Sequence, residues 1–251
     1  PCFGGPTGGA DNLPGWRNTP FMKHMYSRLG VPVFSHNDVT TITLGEARHG
    51  AGNGKNNIVM ASFGTGIGGG IIINGKLYEG ATGYAGEIGH FCVDKNGFKC
   101  SCGITGCWEE YASVRGIIRT AESVLAYSRD KQTLIQEMVA HKHGKLTPEA
   151  IFDAAGKNDP VALQIVDEIG SNTARGIGGL INIFNPDLFI IGGGIAGAGK
   201  IYLDAIKRHI AEWTLPDSLQ STQLVLARLG DKAGIIGASL LVFENINCYK
   251  E

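Results

Sequence analysis

The sequence predicts an α/β fold with a mixed sheet, on three observations. Short β-branched or apolar runs such as Ile58-Val59-Met60-Ala61-Ser62-Phe63 alternate with longer stretches of helical spacing. An Asn74-Gly75 pair between Ile71-Ile72-Ile73 and Lys76-Leu77-Tyr78 signals a type I′ hairpin, so one strand pair is antiparallel. Glycine clusters follow two of the apolar runs, at 64–70 and 192–199. At about 150 residues per domain, 251 residues make one large domain or two small ones, and no internal repeat is seen.

Asn12-Leu13-Pro14-Gly15-Trp16 reads as a loop, and Phe21, Met25 and Leu29 share one face of a helix ended by Gly30. Val31-Pro32-Val33-Phe34 reads as a short strand running into Ser35-His36-Asn37-Asp38. Stretch 39–48 is ambiguous: Val39-Thr40-Thr41-Ile42-Thr43 is β-branched, yet Leu44-Gly45-Glu46-Ala47 favours helix. A polar, Gly-rich connection at 50–57 leads to the buried strand 58–63, the first glycine cluster and the hairpin. Helical spacing returns at 109–127. Thr147-Pro148 and Asp159-Pro160 each open a helix with a capping side chain and Pro in its first turn. The second runs to about residue 184, where Asn185-Pro186 stops it. Strand 188–191, helix 201–213, strand 224–227 and helix 233–245 complete the chain.

Composition removes several classes of function. A 43% hydrophobic and 18% charged chain is not intrinsically disordered. No apolar run approaches the roughly 18 residues of a membrane span. The net charge of −1 gives no general attraction to nucleic acid or anionic lipid. Glycine stands out at 38 residues, about twice its usual share, which suggests tight turns and close approach of backbone to ligand. The start, Pro1-Cys2-Phe3-Gly4-Gly5, carries neither Met nor a signal or transit pattern, so the chain is expected to begin partway through a longer protein.

Four of the six cysteines lie between Cys92 and Cys107. Cys100-x-Cys102-x4-Cys107, with His90 ten residues earlier, supplies the three thiolates and one imidazole of a closed, structural zinc site. The alternative is a group of reduced thiols beside an unrelated His. Cys92 is expected to be a small core residue. A zinc hydrolase is excluded, because four protein ligands leave no open coordination position.

Gly64-x-Gly66-x-x-Gly69 matches a dinucleotide fingerprint, but the hairpin strand follows it where a helix is required. A glycine turn between strands can still cradle phosphate through Gly64, Gly66 and Gly68, with the Thr65 hydroxyl as a further donor; otherwise it is only a tight turn. Gly194-x4-Gly199-Lys200 approaches a Walker A loop, yet Ile201 stands where Ser or Thr should hold Mg²⁺. Gly192, Gly193 and Gly194 would let backbone lie flat against a purine or ribose.

Asp38 ends an apolar stretch where the chain turns, so it is either a carboxylate presented to a cleft, its pKa raised by partial burial, or a helix cap. Glu87 precedes His90 by three residues and Glu109 follows Cys107 by two, so a zinc loop would hold both rigidly enough to recognise sugar hydroxyls. Glu46 and Glu110 are expected on solvated helix faces.

Taken together, these segments resemble the ROK family (repressors, open reading frames and sugar kinases) of the actin/hexokinase-like superfamily. The resemblance rests on Asn12 to Trp16, Asn37-Asp38, Gly64 to Gly70, Gly86-Glu87-Ile88-Gly89-His90, Cys100-x-Cys102-Gly103-x-x-Gly106-Cys107-Trp108-Glu109 and Asn185-Pro186-Asp187 with Gly192-Gly193-Gly194. It implies an actin-like ATPase (ribonuclease H-like) fold and an ATP-dependent hexose kinase acting on glucose or a related aldohexose. Asp38 would be the base at the sugar 6-hydroxyl. Asn37, Glu87, His90 and Glu109 would contact the sugar, His90 also ligating zinc. Gly64 to Gly68 would form the second phosphate loop, and Gly192 to Gly194 would lie on the adenosine side. ATP, Mg²⁺ and structural Zn²⁺ are the expected cofactors, in a cytoplasmic homodimer, with no nucleic acid bound by this segment and no membrane partner. The other reading is the sugar-binding effector domain of a ROK repressor.

The family's Asp-x-Gly-Gly-Thr phosphate loop is missing from this chain, so the polypeptide itself is expected to be nearly inactive. Residues 39–43 also depart from the family's small, Ala-rich helix start. Residues 1–42 and 235–251 are expected to be the remainder of a small domain, and 43–234 the large domain with its zinc loop at 90–107.

Overall fold

The computed structural model describes residues 15, 16, 18–128, 132–141 and 144–245. Asn12-Leu13-Pro14, Cys2, Cys248 and the extreme ends of the expected small domain lie outside the described residues.

Helices α1 (Phe21–Leu29) and α2 (Asp38–His49) precede three strands, β1 (Ile58–Phe63), β2 (Ile67–Ile73) and β3 (Lys76–Leu77). Helices α3 (Glu109–Ala112), α4 (Val114–Tyr127), α5 (Leu134–His141), α6 (Pro148–Gly156) and α7 (Pro160–Phe184) come next. The chain continues through β4 (Leu188–Gly192), α8 (Lys200–His209), α9 (Pro216–Ser221), β5 (Gln223–Leu226) and α10 (Ala233–Asn245). The sheet order is β3-β2-β1-β4-β5, antiparallel across β3, β2 and β1 and parallel across β1, β4 and β5. Among the described residues no helix is long and apolar enough to cross a membrane.

Side chains alternate across the sheet and both faces are covered, which is why its central strands read as unbroken apolar runs. Val59, Ala61, Phe63, Phe189 and Ile191 join the large core with α4, α6, α7 and α8, while Ile58, Met60, Ile72, Leu188 and Ile190 pack with Ala47 of α2 on the other face. The hairpin has the expected turn: Asn74 and Gly75 have φ of 50° and 74°.

Several local readings change. Stretch 31–34 is not a strand: Pro32 has no N–H to donate, and the segment leads directly into α2. The ambiguous 39–48 stretch is helix throughout. Its buried hydroxyls are satisfied within the helix, Thr41 Oγ1 on Asn37 O at 2.8 Å and Thr43 Oγ1 on Val39 O at 2.7 Å. α2 runs unbroken across residues 42 and 43, and α10 across 234 and 235. Helix 109–127 breaks at Ser113, which is extended (φ −77°, ψ 174°). That break lets Val114 N–H donate to Gly64 O at 2.9 Å, tying α4 to the glycine turn.

Glu46 and Glu110 are buried, contrary to expectation. Glu46 accepts the N–H groups of Ala51, Arg228 and Leu229 at 2.7–2.9 Å, joining α2 to the segment after β5. Glu110 is held by Arg115 at 2.7 Å and Arg119 at 3.2 Å. A period of 3.6 residues places both on helices but cannot show that another segment covers them.

Candidate functional site

One cavity of about 390 Å³ brings together Asn37, Asp38, Glu87, His90 and Glu109, with Gly64, Thr65, Gly66 and Gly68 in the same wall. Its size falls in the range of about 300–1,000 Å³ usual for small-molecule sites.

Asp38 and Asn37 reach the cavity from the N-terminus of α2. The cap is Asn37, whose Oδ1 accepts Thr40 N–H at 3.1 Å. Asp38 takes the first helical position, is exposed rather than partly buried, and among the described residues accepts only its neighbour Val39 N–H at 2.8 Å. The cap position being filled, Asp38 is left to face the cavity.

Glu87 caps and His90 ends a single 3-10 turn, Ile88–His90, packed under β2. Glu109, at the start of α3, is almost covered. Its Oε2 accepts Ile67 N–H at 2.9 Å and its Oε1 lies 3.5 Å from Arg115. A side chain on Gly66 would run into this carboxylate. Glu109 therefore spans from the cysteine loop to the glycine turn.

That glycine turn is shorter than the sequence suggests. Only Gly64, Thr65 and Gly66 lie between β1 and β2, while Gly68, Gly69 and Gly70 belong to β2. Their lack of side chains is a packing requirement: a Cβ on Gly68 would meet Val39, one on Gly69 Ile88, and one on Gly70 Thr43. Within the turn, Gly64 N–H is committed to Gly66 O at 2.9 Å, and Thr65 is exposed at the tip.

Gly192, Gly193 and Gly194 do not line the cavity. They leave the C-terminal end of β4, beside the end of β1, with Gly192 in register with Ser62. Gly193 has φ +82° and its α-carbon lies against the Phe63 backbone, so a side chain is doubly excluded. Around Gly194, Gly197 and Gly199 there is open space for a Cβ. Lys200 pairs with Asp204 on the surface of α8.

In the cysteine loop, His90, Cys100, Cys102 and Cys107 place donor atoms within 4.8 Å of one another. Cys102 Sγ lies 3.5 Å from Cys107 Sγ, and His90 Nδ1 lies 3.7 Å from Cys100 Sγ. A tetrahedral zinc ion would set these edges at about 3.8 and 3.6 Å, so the donors fit that ion. Burial pushes the Cys107 thiol well above its ordinary range, and a bound cation is what would convert it to thiolate. Backbone bonds brace the loop, Val93 N–H to Gly106 O at 2.8 Å and Cys100 N–H to Ile104 O at 2.9 Å. Trp108, fully buried, anchors it to the main core: its Nε1 donates to Asn172 O at 3.1 Å and its ring meets Phe63 edge-on. Cys92, expected in the core, is exposed, because its extended stretch lies along the outside of the loop.

Sequence reasoning missed the strap 79–86, of which Gly83, Ala85 and Gly86 also line the cavity. Its glycines, Gly80, Gly83 and Gly86, were the available signal, but no regular period marks an irregular segment.

The ROK family pattern matches residues 10–245. Glucokinase of Halalkalibacterium halodurans is 38% identical over 234 residues, 93% of this chain and 70% of that protein. The xylose repressor of Bacillus spizizenii is 33% identical over 230 residues, 92% of this chain and 55% of that protein. A solved ROK family glucokinase from Streptomyces griseus, in complex with glucose and AMPPNP, aligns with a TM-score of 0.81 at 34% identity, over 92% of this chain and 74% of that one.

Proposed function

The chain belongs to the ROK family, and from that membership we propose that it binds glucose or a related aldohexose and serves ATP-dependent phosphorylation of the sugar 6-hydroxyl. Its mixed sheet is that of the actin-like ATPase fold. The observation that carries the reading is the single cavity shared by Asn37, Asp38, Glu87, His90, Glu109 and the Gly64-Thr65-Gly66 turn. Three carboxyl groups in one cavity suit a neutral, hydroxyl-rich ligand, whose O–H groups donate to them, better than an anion.

In this reading Asp38 takes the proton of the 6-hydroxyl as its oxygen attacks the γ-phosphorus and the bond to the ADP oxygen breaks. Asn37, Glu87, His90 and Glu109 hold the remaining hydroxyls. The two ring nitrogens of His90 serve different ligands, Nδ1 facing the cysteines and Nε2 left for the sugar. The Gly64-Thr65-Gly66 turn and Gly68 would border the phosphates, with the exposed Thr65 at the tip as the donor, and Gly192 to Gly194 would border the adenosine. Structural zinc on His90, Cys100, Cys102 and Cys107 would keep Glu109 and the His90 ring in place. Mg²⁺ would neutralise charge on the ATP phosphates.

The xylose repressor similarity supports a second reading, a sugar sensor without chemistry. Titration of the chain with glucose and xylose, followed by an assay for glucose 6-phosphate in the presence of ATP and Mg²⁺, separates the two. Glucose binding with slow product formation is expected, since this chain carries no Asp-x-Gly-Gly-Thr loop. Xylose binding without any transfer supports the sensor, and failure to bind either sugar overturns both.

A further inference from the structure

We propose that His36 is a positioning residue whose imidazole clasps the Asn37–Asp38 turn to the glycine strap 79–86, so that one side chain sets two walls of the sugar cavity. The inference rests on the sugar-site reading above and extends it to a residue outside the cavity lining.

His36 Nδ1 accepts the N–H of Asn37 at 2.9 Å, and its Nε2 lies 2.6 Å from Glu79 Oε1. A backbone N–H can only donate, so Nδ1 must carry its lone pair and the ring hydrogen must sit on Nε2. Nε2–H therefore donates to the Glu79 carboxylate, and both ring nitrogens are used. The His36 side chain is 13% exposed although Glu79 is 55% exposed, so the ring is held within the structure while its partner comes from the surface.

Each end of the clasp leads into the site. On one side, Asn37 caps α2 and Asp38 is the next residue. On the other, Glu79 opens the strap, and its carbonyl accepts Ala85 N–H at 3.2 Å. Three strap glycines occupy the left-handed region, with φ of 71° at Gly80, 84° at Gly83 and 100° at Gly86. Such a segment has much backbone entropy to lose and needs fixing at both ends. At the far end Gly86 is pressed against the backbone of Gly69 in β2. At the near end Tyr78 N–H is held by Ile71 O at 2.8 Å, and His36 adds a side-chain tie at Glu79. Between these points the strap carries Gly83 and Ala85 into the cavity wall and delivers the chain to Glu87.

Two substitutions divide the clasp. In His36→Asn, the amide oxygen can take the place of Nδ1 but cannot reach Glu79. In His36→Gln, the amide nitrogen can reach Glu79 but leaves Asn37 N–H without its acceptor. Hydrogen exchange by mass spectrometry, read at 37–41 and at 79–86 with and without glucose, follows the two halves separately. We expect His36→Asn to expose 79–86 alone and His36→Gln to expose the Asn37 amide alone. His36→Ala and Glu79→Ala should each weaken glucose binding by roughly three- to tenfold, and Glu79→Gln, which keeps an acceptor, should restore most of it. Unchanged exchange in His36→Ala, or the same exchange pattern from His36→Asn and His36→Gln, overturns the clasp. Absence of glucose binding by the unaltered chain overturns the sugar-site reading instead, and exchange measured without sugar still decides the clasp.

Discussion

Replacing Glu46 with Ala should be among the most damaging single changes to this chain, although Glu46 does not line the candidate sugar cavity. Its side chain is fully buried and its two oxygens accept three backbone N–H groups, of Ala51 at 2.8 Å, Arg228 at 2.9 Å and Leu229 at 2.7 Å. Gly50 leaves the space into which this carboxyl group fits. Truncation strands three part-buried donors, each worth about 1–2 kcal/mol because water reaches them in part, and the expected loss is about 3–6 kcal/mol. Against a total stability of about 5–15 kcal/mol, that is a large share of what holds the chain folded. Glu46→Gln keeps one acceptor oxygen but turns an amide N–H₂ toward the remaining donors, and should fall between the two. Equilibrium urea unfolding, fitted with a common slope, measures the difference. If Glu46→Ala stays within about 1 kcal/mol of the unaltered chain, the three-donor anchor does not hold α2 in place.

Three further outcomes follow from the site and its supports. Asp38→Asn should lower the rate of phosphoryl transfer by about 10²–10⁴ relative to the unaltered chain while leaving glucose affinity nearly intact; equal single-turnover rates would remove Asp38 as the base. Chelation should unfold the cysteine loop, since structural zinc contributes about 10 kcal/mol or more; hydrogen exchange across 91–107 should rise and glucose affinity should fall, whereas unchanged affinity in metal-depleted protein contradicts the role. His209 gives a pH signature: burial opposes its charge, but Glu212 at 2.8 Å and Asp167 at 3.1 Å outweigh burial and raise its pKa above 6.5. Its contribution is therefore complete below pH 6.5 and lost as pH rises through the folded value. His209→Gln should flatten that decline in an unfolding titration, and an unchanged pH profile would show that the pair adds nothing.

Much of the fold is legible in the order of residues because its signals are local. Strand β1 is bounded by polar and glycine residues, the Asn74-Gly75 turn needs two positive φ values, and Asp159-Pro160 and Asn185-Pro186 mark both ends of α7. The cysteine spacing likewise announces a cluster that the folded chain assembles to within 4.8 Å. Stretch 31–34 misleads because β-branched side chains favour a strand only where a partner is available, and pairing is not a local property.

What tertiary structure decided were relations between distant segments. Glu46 and Glu110 sit on helices like surface charges; the approach of the distant residues 228–229 accounts for the one, and the fold-back of α4 at Ser113, which brings Arg115 and Arg119 to it, for the other. The glycines of 68–70 look like a ligand loop, but in β2 they make room for α2 and the 88–90 turn. Composition and spacing report what a residue can do; its partners are set by which surfaces meet when the sheet is covered on both faces. The clasp through His36 belongs to this second kind, since no pattern in the chain links positions 36 and 79.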